Sequence, residues 1–162
     1  MINFFKKARK VEFAAPTTGK VIPLEQVKDD VFSSKMMGDG FAISPDLSDP
    51  VIVSPVAGKV MMIPDTLHAI GLKTANDRFE VLVHIGLDTV DLQGQGFKSL
   101  VQVGDHIAIG DPLIQVNWEQ LVQSGYDVST MVIVTNDTNT KFDLSAQTNQ
   151  PVTQGTKLIS IS

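Results

Sequence analysis

From Val11 onward the chain breaks its apolar runs at Gly, Pro, Asn and Asp roughly every eight to twelve residues, the spacing of short strands joined by tight turns. Helical periodicity is confined to short pieces. The clearest is Trp118 to Ser124, where Trp118, Leu121 and Val122 share a face and Gly125 follows as a C-terminal cap. The pattern predicts an all-β body with short accessory helices.

Two internal recurrences sharpen that expectation. Ala15-Pro-Thr-Thr-Gly-Lys-Val-Ile22 returns as Ser54-Pro-Val-Ala-Gly-Lys-Val-Met61, keeping Pro16/Pro55, Gly19/Gly58, Lys20/Lys59 and Val21/Val60 in register. Proline cannot donate to a ladder and glycine tolerates positive φ, so each copy reads as a strand entered through a tight turn. Val103-Gly-Asp-His-Ile107 likewise returns as Ile109-Gly-Asp-Pro-Leu-Ile114 and echoes in Gln154-Gly-Thr-Lys-Leu-Ile159. Duplicated short strands of this kind predict a closed barrel or sandwich of antiparallel strands, which leaves few unpaired edges.

Composition narrows the function classes. The 162 residues are 43% hydrophobic and 19% charged, enough to bury a core, and fit one domain over residues 11–162 behind a tail at 1–10. The absence of cysteine excludes a disulfide scaffold, a thiol nucleophile and thiolate metal sites, and fits a cytoplasmic setting. No apolar stretch has the length of a bilayer span or a secretory signal. The net charge is −5. With the tail cations Lys6, Lys7, Arg9 and Lys10 set aside, nine basic side chains face 18 acidic ones in the body. That balance argues against nucleic acid and favours cationic partners. Met1, Ile2, Phe4 and Phe5 beside the cations have the composition of a weak anchor to an anionic membrane, but a segment too short to hold a helix in water reads first as a solvated basic tail, with the anchor as the alternative.

With thiols absent, His68, His84 and His106 are the main nucleophile candidates. His84 interrupts the apolar run Val81-Leu-Val-His-Ile-Gly-Leu87, where an imidazole must find a hydrogen-bond partner in the core or face a cleft. His68 reads as part of a strand approached from a turn, and His106 as an exposed turn residue. Gly86 permits close approach of a partner or anion, and Asp88 offers a carboxylate to a cationic partner. Gly38-Asp-Gly40 reads as a flexible acidic turn.

Val31-Phe-Ser-Ser-Lys-Met-Met-Gly-Asp-Gly-Phe-Ala-Ile43, Ser54-Pro-Val-Ala-Gly58, Thr66-Leu-His-Ala-Ile70 and above all Val83-His-Ile-Gly-Leu-Asp-Thr-Val90 resemble the glucose-type IIA component of the bacterial sugar phosphotransferase system. The resemblance runs from about Glu12 to Ser162. It implies a β barrel-sandwich with two facing histidines at a shallow apolar depression: His84 as phosphoryl acceptor, His68 as stabilising partner, and Thr66 as hydrogen-bond support. It also implies the phosphocarrier HPr as donor and a IIB-domain cysteine as acceptor, coupled to sugar uptake and phosphorylation. Asp39 and Asp88 would meet basic residues of HPr, while Phe41 and Ile43 would contribute an apolar docking surface. The turn Ala75-Asn-Asp-Arg78 is one residue longer than in the family. No cofactor or metal is required, although the histidine pair would accept adventitious zinc. Neutral imidazole is a competent nucleophile toward phosphorus near pH 7, with hydrogen-bond donors from His68 and from backbone amides near Gly86 as stabilisers. The start at Met1 predicts a free-standing protein that docks to a separate permease, cytoplasmic or peripheral at the inner face of the membrane.

Two rivals come from other classes. A biotinyl or lipoyl carrier would present Lys35 at a turn, and a barrel-sandwich zinc peptidase would gather His68, His84 and Asp88 around a metal. Gly94-Gln-Gly-Phe-Lys-Ser99 lacks the spacing of a phosphate-binding loop, so the phosphoryl donor is expected to be a protein.

Overall fold

The structure is a computed structural model and describes residues 9–162. Thirteen short strands carry it: β1 (Val11–Ala14), β2 (Gly19–Ile22), β3 (Gly40–Pro45), β4 (Val51–Val53), β5 (Gly58–Met62), β6 (Ala69–Thr74) and β7 (Glu80–Ile85) come first. β8 (Phe97–Ser99), β9 (His106–Ile107), β10 (Pro112–Val116), β11 (Thr130–Val134), β12 (Pro151–Val152) and β13 (Lys157–Ile161) follow. Among the described residues the α-helices are short, α1 (Asp30–Ser33) and α2 (Trp118–Gln123). All strand pairs are antiparallel, as the turn spacing predicts.

The large sheet runs β12-β2-β3-β11-β7-β6-β5-β9, beside a three-stranded sheet β4-β10-β8 and the pair β1-β13. Its ends, β12 and β9, do not meet among the described residues, so the expected barrel-sandwich takes the form of packed sheets rather than a closed barrel. The layers instead bury one another's apolar faces. Val21, Phe41, Ile43, Val60, Ile70, Leu72, Val81, Val83, Ile85, Val132 and Val134 from the large sheet join Ile52, Ile114 and Val116 from the three-stranded sheet in the main core.

The first repeat begins β2 and β5 at its glycines, for a reason other than backbone freedom. A Cβ on Gly19 would lie 2.0 Å from the Ser44 carbonyl oxygen, and one on Gly58 would lie 1.9 Å from that of Lys73. Each glycine lets the neighbouring strand approach. In the second repeat, Asp105 and Asp111 serve equivalent turns, their carboxylates accepting from the Gln102 and Ala108 amides at 2.9 and 2.8 Å.

The other face of the large sheet has a smaller core of its own. The segment 23–38 crosses it, and Leu24, Val27 and Phe32 pack on Ala42, Met131 and Ile133 with Leu87. Strands covered on both faces lose their alternation, which is why β3 is buried at four successive positions.

Backbone strain in an exposed turn stands outside this logic. Leu47 is exposed and holds φ +70° in the turn after β3, a conformation costly for a branched side chain. Leu47→Asn, which tolerates that region, is expected to stabilise the protein by about 0.5–1 kcal/mol and raise Tm by roughly 1–4 °C. An unchanged or lower midpoint in thermal denaturation would count against strain at this turn.

Candidate functional site

Strand register determines which side chains share a face with His84. His84 pairs with Met131 on one side and Ala69 on the other, and Met131 pairs with Ala42. Two residues before His84, Leu82 pairs with Ile133 and Gly71, and Ile133 pairs with Gly40. These positions all lie on the outer face, the one partly covered by segment 23–38.

The covering segment brings an aromatic ring to the histidine. Asp29 caps α1, its Oδ1 accepting from the Val31 amide at 2.9 Å and the Phe32 amide at 3.4 Å. The cap starts a single helical turn that seats Phe32 with its ring centroid 4.8 Å from that of His84. Lys35 follows at φ +62° and pairs with Glu25 at 2.6 Å and Asp39 at 3.3 Å.

His68 arrives from the segment leading into the adjacent strand. It lies in the turn just before β6, and its carbonyl accepts from the Ile85 amide at 2.8 Å, which ties it to the strand of His84. The two imidazole rings are 5.0 Å apart and nearly perpendicular, at 81°. Thr66 Oγ1 lies 2.8 Å from His68 Nδ1.

The hydrogen bond at His84 defines the ring's tautomer. Its Nδ1 is 2.8 Å from the Gly86 carbonyl oxygen, which only accepts, so the proton resides on Nδ1 and the neutral ring presents Nε2 as its lone pair. Burial is the first cause that pushes the His84 pKa down to about 4, and His68 adds to it; the Gly86 carbonyl and the Asp29 charge oppose the shift. Burial also lowers the pKa of His68. Both rings are therefore neutral near pH 7, and the half-buried His84 presents an uncharged lone pair.

Several sequence expectations need correction. Phe41 and Ile43 alternate onto the inner face of β3, where 1% and 0% of their surface is exposed, so they belong to the main core and form no docking surface. Asp39 is buried rather than part of a flexible turn. Its Oδ1 accepts from the Gly40 amide and its Oδ2 from the Phe142 amide at 3.0 Å, so its carboxylate is spent on the fold. Gly86 is also buried, at φ +75°, where a Cβ would meet Thr89 Cγ2 at 2.6 Å. The amides of Gly86 and Leu87 donate to Ser129 and Asp127 at 2.9 Å each, which leaves neither for a phosphoryl oxygen. Gly86 acts through its carbonyl.

Asp88 is exposed, in the left-handed region and with no capping bond from its side chain. His106 is exposed at the start of β9. Asp29 and Phe32 were not singled out from the sequence, although an Asp followed by apolar residues is a legible cap signal. The tail expectation concerns residues 1–10, of which 1–8 lie outside the described residues.

The rivals find little support in this geometry. Among the described residues, no three His, Asp or Glu side chains converge in a group able to hold a metal, so His68, His84 and Asp88 do not assemble a peptidase centre. Lys35 is held in two ion pairs, which raise its pKa, rather than displayed as a carrier lysine.

The sequence model of the family described as phosphoenolpyruvate-dependent sugar phosphotransferase system, EIIA 1, matches residues 11–140. The chain belongs to this family. Curated EIIA relatives include the "PTS system glucose-specific EIIA component" of Staphylococcus epidermidis, 42% identical over 165 residues, covering 99% of this chain and 97% of the relative. The component of the same name from Staphylococcus aureus is 41% identical with the same coverage. Among solved structures, the EIIA fold matches "glucose permease IIA from Mycoplasma capricolum" at TM-score 0.84 and 34% identity, covering 95% of this chain and 97% of that one. No helix among the described residues is long and apolar enough to cross a membrane.

Proposed function

We propose that this EIIA protein is a phosphohistidine relay, receiving a phosphoryl group from HPr on His84 Nε2 and passing it to a cysteine of a IIB domain that phosphorylates incoming sugar. The observation that carries this reading is the imidazole pair: a neutral His84, its Nδ1 engaged by the Gly86 carbonyl, beside His68 at 5.0 Å. In the forward step the Nε2 lone pair forms a bond to phosphorus as the donor's N–P bond breaks, and the donor imidazole leaves as the neutral ring. When the Thr66 hydroxyl donates to His68 Nδ1, His68 carries its proton on Nε2 and can donate to a phosphoryl oxygen. The resulting phosphoramidate is labile enough to be handed on.

The exposed carboxylate of Asp88 is suited to a cationic partner. Residues 11–162 form the carrier domain in this reading, behind the basic tail of residues 1–10, on the cytoplasmic side of the membrane.

The test is intact mass after mixing the protein with HPr, its phosphorylating enzyme and phosphoenolpyruvate. A single acid-labile gain of about 80 Da is expected. No gain in the presence of demonstrably phosphorylated HPr defeats the reading. His68→Gln is expected to accept the group but pass it to the IIB domain roughly tenfold more slowly. Equal losses at both steps in rapid-quench measurements would overturn that division of roles.

A further inference from the structure

With cysteine absent, the sulfur of this chain is confined to six methionines, and their placement around the histidine pair is uneven. Met131, opposite His84 on β11, is wholly buried. Met36, Met37 and Met62 are exposed by 76%, 38% and 45%.

Met62 owes its position to a bulge in β5. Val60 pairs with Leu72 toward the main core, the register then shifts, and Met62 pairs with Gly71 on the face of His84. A Cβ on Gly71 would lie 3.4 Å from the Met62 Cβ and 3.7 Å from its methyl carbon, so the thioether lies across the glycine, which itself pairs with Leu82. Met36 and Met37 occupy the stretch between Phe32, whose ring is 4.8 Å from that of His84, and Gly40, paired with Ile133. Exposed thioethers therefore border the His84–Leu82 strip from two sides, through β5 and β6 on one and through segment 32–40 on the other.

We propose that Met36, Met37 and Met62 are oxidative modification sites whose conversion to sulfoxides closes the relay to its protein partners while leaving the imidazole chemistry of His84 intact. The oxidant is a peroxide. Its O–O bond breaks as an S–O bond forms at the thioether, the sulfur is oxidised by two electrons, and the second peroxide oxygen leaves as water. An apolar, adaptable side chain becomes a polar one that a partner's apolar surface must desolvate, whereas Met131, shielded beneath the site, stays reduced. A sulfoxide reductase reverses the change. The inference rests on the relay reading above, because the effect is on docking of a protein donor.

The full chain is treated with hydrogen peroxide, quenched with catalase and mapped by peptide mass. Its phosphorylation is then followed with two donors, phospho-HPr and phosphoramidate, a small donor that needs no docking. We expect gains of about 16 Da each at Met36, Met37 and Met62 but not at Met131, a roughly tenfold slower reaction with phospho-HPr, an unchanged one with phosphoramidate, and recovery after sulfoxide reductase. The Met36→Leu/Met37→Leu/Met62→Leu variant should keep its own untreated rate after peroxide. Met61, also exposed and left in that variant, serves as the internal control. Equal slowing with both donors, equal sensitivity of the triple variant, or a treated protein as fast as the untreated one overturns the proposal. An untreated protein that takes phosphate from phosphoramidate but never from phospho-HPr overturns the relay reading instead, and this proposal with it.

Discussion

Replacing His84 with alanine is expected to abolish phosphoryl acceptance, lowering the rate from phospho-HPr by about three orders of magnitude or more. The expectation follows from the absence of a substitute nucleophile. His68 is the nearest imidazole, with its ring centroid 5.0 Å away, but its Nδ1 is engaged with Thr66 Oγ1. His106 lies on the edge strand β9, out of this pairing register. Because alanine leaves a gap beside Phe32, His84→Gln supplies the milder variant, and a thermal melt of each establishes that the fold survives. An acid-labile mass gain in either variant would remove His84 from its assigned role.

Phe32→Ala should raise the pKa of His84 from about 4 toward the ordinary value of about 6.5, by roughly one unit or more, because the ring supplies part of the burial that depresses it. The stability consequence has a definite sign. Between about pH 4 and about pH 6.5 the unfolded histidine binds a proton that the folded one does not, so this contribution is complete above the upper value and lost as the pH falls toward the lower. Over that window the loss is on the order of 3 kcal/mol. In Phe32→Ala the window narrows and the acid limb of the stability curve flattens, even though the lost contact lowers stability at every pH. NMR titration of the ring protons measures the shift directly, and an unmoved pKa would mean that Phe32 contributes little to the burial.

The strands, turns and repeats were legible because each rests on local chemistry: proline and glycine before an apolar pair, aspartate in a tight turn, a short period of apolar positions in α2. His84 was legible as the one polar interruption of an apolar strand. The rim of the site was not. Phe41-Ala42-Ile43 is a continuous apolar run, and with both faces of β3 covered nothing in the sequence tells which two side chains enter the main core. The burial of Asp39 depends on the Phe142 amide 103 residues away, a partner no local pattern displays. The part played by Gly86 has no local signal either, since a glycine marks close approach without telling that its amide is held by the Ser129 carbonyl and its carbonyl by His84 Nδ1.

The strand order sets the schedule on which the site is finished. β3 and β7 are both complete well before β11 in the chain, yet β11 lies between them and pairs with each. Until Thr130–Val134 inserts, the strand of His84 lacks its second neighbour, Met131 is missing from beneath segment 23–38, and Asp39 has no Phe142 amide to hold. Such long-range pairing is slow to form and costly to close, so during synthesis the histidines are in place early while their support comes late. A nascent chain of this protein acquires its complete pocket only as its last third emerges, and lesions in β11, late in the chain, should act directly on the strand of His84.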